Sequence, residues 1–407
     1  MNVIKTGLLL KGVVLGLALI MTDVLADEKS VEKQASDMAH KYLLADTHID
    51  VPYRLHNGWV DVTTSATDGE FDYPRAVQGG LNLAFMSIYT PAEMEEKGGS
   101  FELANQLIDS VEAMAGRAPD KFMLVYSVAD AKKAMASGRI GLAMGMENGS
   151  PIDRKIENIR YFADRGIRYI TLTHGLSNQI SDSSYDENRA WGGLSPFGKE
   201  VVAEMNRVGI MVDISHVSDD AFWQTLEVTK VPVIASHSSA RHFTPDFERN
   251  MSDEMIVALA KNGGVIQINW GSSFLTAQAN AYSTMRRASR KAWLEEHAFD
   301  ADGAEADQYD KDYAAKQPYP YATLAQVVDH FDHVIKLTGI EHVGIGSDFD
   351  GVGDSLPTGL KDVSQYPNLV AEFLRRGYTE SDIAKILGGN LLRVWSQVET
   401  FALKNKG

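Results

Sequence analysis

The sequence predicts an α/β fold, a (β/α)8 TIM-like barrel with a metal site on its C-terminal rim. Three observations carry that expectation. Eight short apolar runs recur along the chain, continuous rather than alternating, as parallel strands covered on both faces are. Helical patterns fill most of the gaps, with Gly166, Gly209, Gly263 and Gly339 standing where such helices should stop. Six of the runs close on His, Asp or Glu, on the face where barrels of this kind collect their chemistry.

The elements follow in order. Lys5 and Lys11 precede an apolar stretch from Gly12 to Met21, and Val24-Leu25-Ala26 offers small residues for cleavage, so residues 1–26 read as a secretory signal peptide. That stretch is shorter than the ~20 residues of a spanning helix. The mature chain, residues 27–407, is expected to be one domain, soluble, unanchored, and periplasmic or secreted. A lead-in helix from Ser30 to Lys41 feeds the first strand, Tyr42 to Ala45, which closes on Asp46-Thr47-His48-Ile49-Asp50. The run Leu81 to Tyr89 is the second strand. Helices at Phe101–Ala115 and Val128–Ser137 precede the run Leu142–Met146, which delivers Glu147. A helix at Ile152–Arg165 leads to Tyr169–Thr173 and His174, and one at Pro196–Val208 leads to Ile210–Ser215 and His216. Asp219–Thr229 then leads to Val231–Ser236 and His237, and Asp253–Asn262 leads to the run Gly264–Trp270. Leu324–Leu337 precedes His342–Ser347 and Asp348, and Asn368–Arg376 with Glu380–Val398 completes the chain. Phe122 to Tyr126 is a ninth strand-like run followed by no chemical group, and is expected as an extra edge strand. Residues 271–322 form an insertion between the seventh and eighth barrel strands, with a helix at Ser283–His297. Such a segment either shapes the active site or decorates the surface.

Composition narrows the chemistry. A net charge of −16 over 407 residues argues against nucleic acid or an anionic membrane as partner, both of which want clustered Lys and Arg. With no cysteine there is no disulfide, thiol nucleophile or thiolate ligand. Any metal must be held by imidazole and carboxylate, which suits zinc, manganese or cobalt.

His48 and Asp50 sit at i and i+2, so on a strand both point to one ion. Glu147 has two oxygens and could bridge two ions. His216 and His237 end neighbouring strands and could share the second ion. Asp348, at the last strand end, is placed to hold a bridging water and move its proton.

These residues resemble a known family. His48-x-Asp50, Gly145-Met146-Glu147-Asn148-Gly149, Leu172-Thr173-His174, Asp213-Ile214-Ser215-His216-Val217-Ser218, Ser236-His237-Ser238-Ser239-Ala240 and Gly346-Ser347-Asp348-Phe349-Asp350-Gly351 are similar to the motifs of the membrane (renal) dipeptidases. Those are binuclear zinc peptidases of the amidohydrolase superfamily. The resemblance runs from about Tyr42 to Glu399 and includes Asn390-Leu391-Leu392-Arg393-Val394-Trp395. It implies two zinc ions bridged by Glu147, one also held by His48 and Asp50, the other by His216 and His237. It makes His174 a substrate contact that stabilises the tetrahedral intermediate, Arg249 the partner of the substrate carboxylate, and Asp348 the catalytic acid/base. Family members are often dimers; without cysteine a homodimer here would not be disulfide-linked. The tail Leu403-Lys404-Asn405-Lys406-Gly407 does not resemble the lipid-anchor signal of animal members, so no such anchor is expected, and with the 271–322 insertion narrow substrate specificity is not expected.

The expected function is hydrolysis of dipeptides by a metal-bridging hydroxide, which two adjacent ions generate at neutral pH. A lost oxyanion donor such as His174 costs about 3 kcal/mol, and Arg249 can hold a free carboxylate through two parallel hydrogen bonds. The alternatives are another amidohydrolase activity (lactonase, phosphotriesterase or deaminase) and a zinc-binding protein without catalysis. His-x-Asp with a Glu bridge counts against the first, and Asp348, His174 and Arg249 against the second. On the loop, Arg249 could instead pair with Glu248 or Asp246.

Overall fold

Among the described residues, 28–301 and 303–405 of a computed structural model, nine parallel strands form one sheet, and eight of them follow one another round a barrel. The strands are β1 Leu44–Ile49, β2 Leu81–Tyr89, β3 Phe122–Leu124, β4 Ile140–Glu147, β5 Ile167–Thr171, β6 Met211–Asp213, β7 Ile234–Ser238, β8 Val265–Ile268 and β9 Val343–Ile345. They pair in the order β1-β2-β4-β5-β6-β7-β8-β9. The seam closes just past the strand ends. Asp348 N donates to His48 O at 3.1 Å, and Asp50 N donates to Phe349 O at 2.9 Å. The barrel is thus joined at the residues expected to do chemistry, which fixes their backbones against one another.

All eight expected runs are barrel strands, and β3 is the extra one. It pairs with the first half of β4, Phe122 opposite Ile140 to Leu124 opposite Leu142. β5 takes over higher up, Gly145 opposite Tyr169. Both lie on the flank of β4 away from β2.

The lower barrel interior is apolar: Ala45, Leu83, Phe85, Ala143, Tyr169, Met211, Ile234 and Val265. The C-terminal helix Asn390–Lys404 seals it with Leu391, Val394, Trp395 and Val398, and the Trp395 ring meets Phe85 edge-on at 5.4 Å. Truncating a fully buried side chain of this size costs about 3–5 kcal/mol. With that floor closed, the rim is the open approach.

The four stop glycines all have positive φ. Gly209 shows why: at φ 88° it caps Pro196–Val208 in a left-handed conformation that a side chain would strain.

Several boundaries differ from expectation. The span Ile152–Arg165 is a short 3-10 turn, Ser150–Ile152, followed by a helix at Glu157–Asp164. The span Glu380–Val398 is helix, a π turn at Lys385–Gly389, then helix to Lys404. Gly388 sits so near β1 that a Cβ there would lie 2.5 Å from Leu43 O, and the wider turn accommodates the approach. The insertion helix starts earlier, at Ala277, where the Thr276 side chain accepts from Ala279 N, and a second helix, Ala304–Lys316, follows it. Short helices at Val51–Asn57 and Tyr73–Gly79 were not expected; each begins with a proline in its first turn. The signal-peptide span 1–26 lies outside the described residues. Among these, no helix is long and apolar enough to cross a membrane.

Candidate metal centre and active site

Strand ends bring His48, Asp50, Glu147, His216 and His237 into one buried cluster. Glu147 is its centre. Its Oε2 lies 3.4 Å from His48 Nε2, and its Oε1 lies 3.1 Å from His216 Nε2 and 3.2 Å from His237 Nε2. Asp50 Oδ2 lies 3.4 Å from His48 Nε2 on the other side. One carboxylate therefore turns one oxygen toward His48 and the other toward His216 and His237, and the His237 ring stacks on His48 at 3.8 Å.

Partners behind the rings decide where the lone pairs point. The Tyr169 hydroxyl donates to Thr47 O at 3.0 Å and stands 2.8 Å from His48 Nδ1, so it must accept from that nitrogen. His48 Nε2 is then the bare atom, and it has no hydrogen-bond partner. Behind His237, Ser236 Oγ donates to Asp213 Oδ2 at 2.6 Å and accepts from His237 Nδ1 at 2.7 Å. Asp213 also takes the Ser236 and Ser215 amides and the Thr171 hydroxyl. His237 Nε2 is left bare, 2.9 Å from His216 Nε2. Bare nitrogens and carboxylate oxygens converging in a buried pocket are a costly arrangement without a cation. The donor set of imidazole and carboxylate fits zinc.

Electrostatics divide the three rings. Burial alone would lower His48, but Tyr169, Glu147 and Asp50 hold it well above the ordinary histidine range, a proton taking the place where a cation would otherwise sit. Burial, followed by the Arg249 charge and the neighbouring His174, holds His216 well below the ordinary histidine range. Burial, then His48 and Arg249, does the same for His237. Both are neutral imidazoles at pH 7, the form that binds metal. Burial would raise Glu147, but His48, His174 and the contacts to His216 and His237 hold it well below the carboxylate range.

Asp348 faces the same pocket. Its Oδ2 accepts from Asn269 Nδ2 at 2.7 Å, and burial pushes it up to about 7, with Asp50 and Glu147 adding to the rise against His48 and Arg249. Gly351 makes room for it. A Cβ there would lie 2.2 Å from Asp50 Oδ2 and 2.4 Å from Asp348 Oδ1. His216 and Asp348 both have positive φ, 69° and 65°. For non-glycine residues that is strain of the kind that collects at functional sites.

His174 stands at the mouth, with Nε2 3.6 Å from Glu147 Oε1 and its ring edge-on to Tyr89 at 4.9 Å. Burial lowers its pKa, so it is neutral and can donate one ring N–H. Arg249 is buried, and among the described residues no carboxylate lies within 4 Å of it. Glu248 pairs instead with Arg189. Arg249 donates to Ser238 Oγ at 2.7 Å and His237 O at 2.8 Å, and lies over the Phe274 ring at 5.4 Å. Its Nε has no partner. Pairing with Glu248 or Asp246 is therefore not what the loop does.

The chain matches the membrane dipeptidase family, peptidase family M19, over residues 32–407. It belongs to that family. It is 35% identical over 341 residues to Dipeptidase aclJ of Aspergillus oryzae, covering 82% of this chain and 71% of that one. It is 32% identical over 407 residues to an uncharacterized dipeptidase of Schizosaccharomyces pombe, covering 94% and 87%. The probable dipeptidase PvdM from Pseudomonas aeruginosa superposes with a TM-score of 0.77 at 27% identity, over 92% of this chain and 100% of that one. The protein is a metal-dependent dipeptidase, not the lactonase, phosphotriesterase, deaminase or non-catalytic binder considered above.

All eight sequence-predicted residues of this dipeptidase come together on one rim. What sequence reasoning missed are their supports: Tyr169 and Asp213 behind the ligand rings, and Asn269 on Asp348. The two runs without a terminal acid or histidine are not idle either. β8 leads into Asn269, and β2 ends in Tyr89 and carries Ser87, 3.4 Å from Glu147 Oε2. A polar residue ending a buried run was the available signal for Asn269.

Proposed function

We propose that the protein is an exported dipeptidase with two zinc ions bridged by Glu147, one also held by His48 and Asp50, the other by His216 and His237. The observation that carries this reading is the division of Glu147, Oε2 toward His48 and Oε1 toward His216 and His237. Bound there, two zinc ions would supply Lewis-acid polarisation of the scissile carbonyl and would acidify the attacking water. Every other task falls to the chain.

Asp348 takes the proton of the attacking water and returns it to the leaving amine, oriented by Asn269. His174 donates its ring N–H to the oxygen that becomes negative. Arg249 holds the free C-terminal carboxylate of the substrate. Two of its N–H groups are used by Ser238 and His237, and N–H groups of the guanidinium beyond these two remain for the ligand. A buried guanidinium without an acid partner gains most from an anionic ligand, which favours dipeptides over internal peptide bonds. Export rests on Lys5, Lys11, the Gly12–Met21 stretch and Val24-Leu25-Ala26.

A hydrolysis screen of L,L- and L,D-dipeptides, with metal analysis of the same preparation, tests the reading. Zinc-dependent cleavage of free dipeptides supports it. Activity retained after complete metal removal, or restricted to longer peptides, overturns it. Amino-terminal sequencing of the exported protein should begin near residue 27.

A further inference from the structure

Outside the rim, a second set of ligand-type side chains meets where three elements touch. His242 lies in the 3-10 turn Arg241–Phe243, Asp253 opens the helix Asp253–Lys261, and His333 lies in the helix Leu324–Thr338. Each offers one ligand atom, all within 4.8 Å of one another. His333 Nε2 is 2.7 Å from Asp253 Oδ1, and the His242 ring stacks on His333 with centroids 4.3 Å apart and planes 19° apart. Among the described residues, neither nitrogen of His242 has a hydrogen-bond partner.

A simple His–Asp ion pair accounts for only part of this. It leaves His242 stacked on His333 with its own nitrogens unpartnered among the described residues. A single divalent ion satisfies all three groups. The neighbouring His330 shows the contrast: its Nδ1 accepts from Ala240 N and its Nε2 faces Leu275 O, so both nitrogens are used within the protein. Phe243 packs against His330, His333 and His242 at 4.4, 5.6 and 4.9 Å, which holds the rings in place.

We propose that His242, Asp253 and His333 form a further metal site, distinct from the buried cluster, for one zinc, cobalt, nickel or copper(II) ion. Two imidazoles in three ligands select these ions over magnesium and calcium, which want oxygen. A tetrahedral ion with bonds of about 2.0–2.2 Å needs its ligand atoms about 3.3–3.6 Å apart. The three ligand atoms already lie within 4.8 Å of one another, so a small adjustment of the exposed His242 would complete the set, with water in the remaining position.

The location gives the site a consequence. His242 and Asp253 bracket the segment that carries Arg249, and the Ala240–Met251 bridge closes its base. An ion shared with His333 ties that segment to the helix Leu324–Thr338 and stiffens the support of Arg249.

The test is metal stoichiometry on the full-length protein, stripped with chelator and titrated with zinc or cobalt. Wild type should bind one equivalent more than His242→Ala and one more than Asp253→Asn, and magnesium should not compete. Both variants should keep dipeptide hydrolysis, which also shows that they fold. A His216→Ala/His237→Ala variant should keep the outer equivalent, so failure here is distinguishable from failure of the buried-site assignment. Equal stoichiometry in wild type and His242→Ala overturns the site. Hydrogen exchange across residues 244–252 that does not slow on metal addition in wild type overturns the stiffening.

Discussion

Tyr169→Phe removes a single oxygen, from a residue that touches neither substrate nor metal, and should weaken metal binding. That hydroxyl accepts from His48 Nδ1 at 2.8 Å and donates to Thr47 O at 3.0 Å. Burial pushes the phenol up, so it stays protonated and keeps both roles. Without it, His48 Nδ1–H is stranded in a buried site at a cost of about 1–3 kcal/mol. The ring is then free to turn or to switch the nitrogen that carries the proton, and Nε2 is no longer held bare. Losing such a support behind a metal ligand typically costs about 10–100-fold in affinity, or about 1.4–2.7 kcal/mol, in line with the hydrogen-bond figure. Chelator competition at fixed pH measures this directly. Gly145→Ala is the companion variant. A Cβ there would lie 1.9 Å from Tyr169 Cζ, so the phenol must move although every hydrogen-bonding atom remains. Both variants should lose affinity in the same direction. Zinc affinity within twofold of wild type in Tyr169→Phe would refute the proposed orientation of His48.

Three further outcomes are expected. Asp348→Asn should lower kcat by about 10²–10⁴ while chelator-resistant metal stays near wild type; normal turnover would remove Asp348 from proton transfer. Arg249→Ala should narrow the preference for a free dipeptide over its amide, the lost contact being worth about 2–5 kcal/mol, and Arg249→Lys should restore it only partly; an unchanged kcat/KM ratio leaves the carboxylate contact unsupported. Glu70 is pushed up to about 8 from 4.5 by burial, then by its hydrogen bond with and the charge of Asp350. Because the folded value is the higher one, its contribution is complete below pH 4.5 and is lost as pH rises through about 8. Glu70→Gln should therefore flatten the decline of Tm across that window, and an unchanged slope would deny Glu70 that role.

The barrel was legible because its strands are buried on both faces and end in chemically distinct residues. His48, Glu147, His174, His216, His237 and Asp348 each follow an apolar run, and runs in one register of a parallel barrel must share a rim. Arg249 was legible only through resemblance, since it lies on a loop eleven residues past β7 and no strand pattern points to it. Tyr169 reads as a core aromatic in sequence, and its hydroxyl finds His48 only because Gly145 lets the ring pass. Asp213 ends a run as the ligands do, yet it binds Ser236, Ser215 and Thr171 rather than facing the cavity. Strand-end position thus marks the rim, and side-chain direction separates ligand from support. The break at Lys385–Gly389 was hidden for a similar reason. It answers to the closeness of Leu43, far away in sequence.

The central claim is a pair of ions sharing one carboxylate, and anomalous X-ray diffraction at the zinc edge tests it most directly. Crystals of zinc-loaded wild type should give two anomalous peaks flanking Glu147, one beside His48 and Asp50, the other beside His216 and His237. A single peak, or peaks placed away from Glu147, would contradict it.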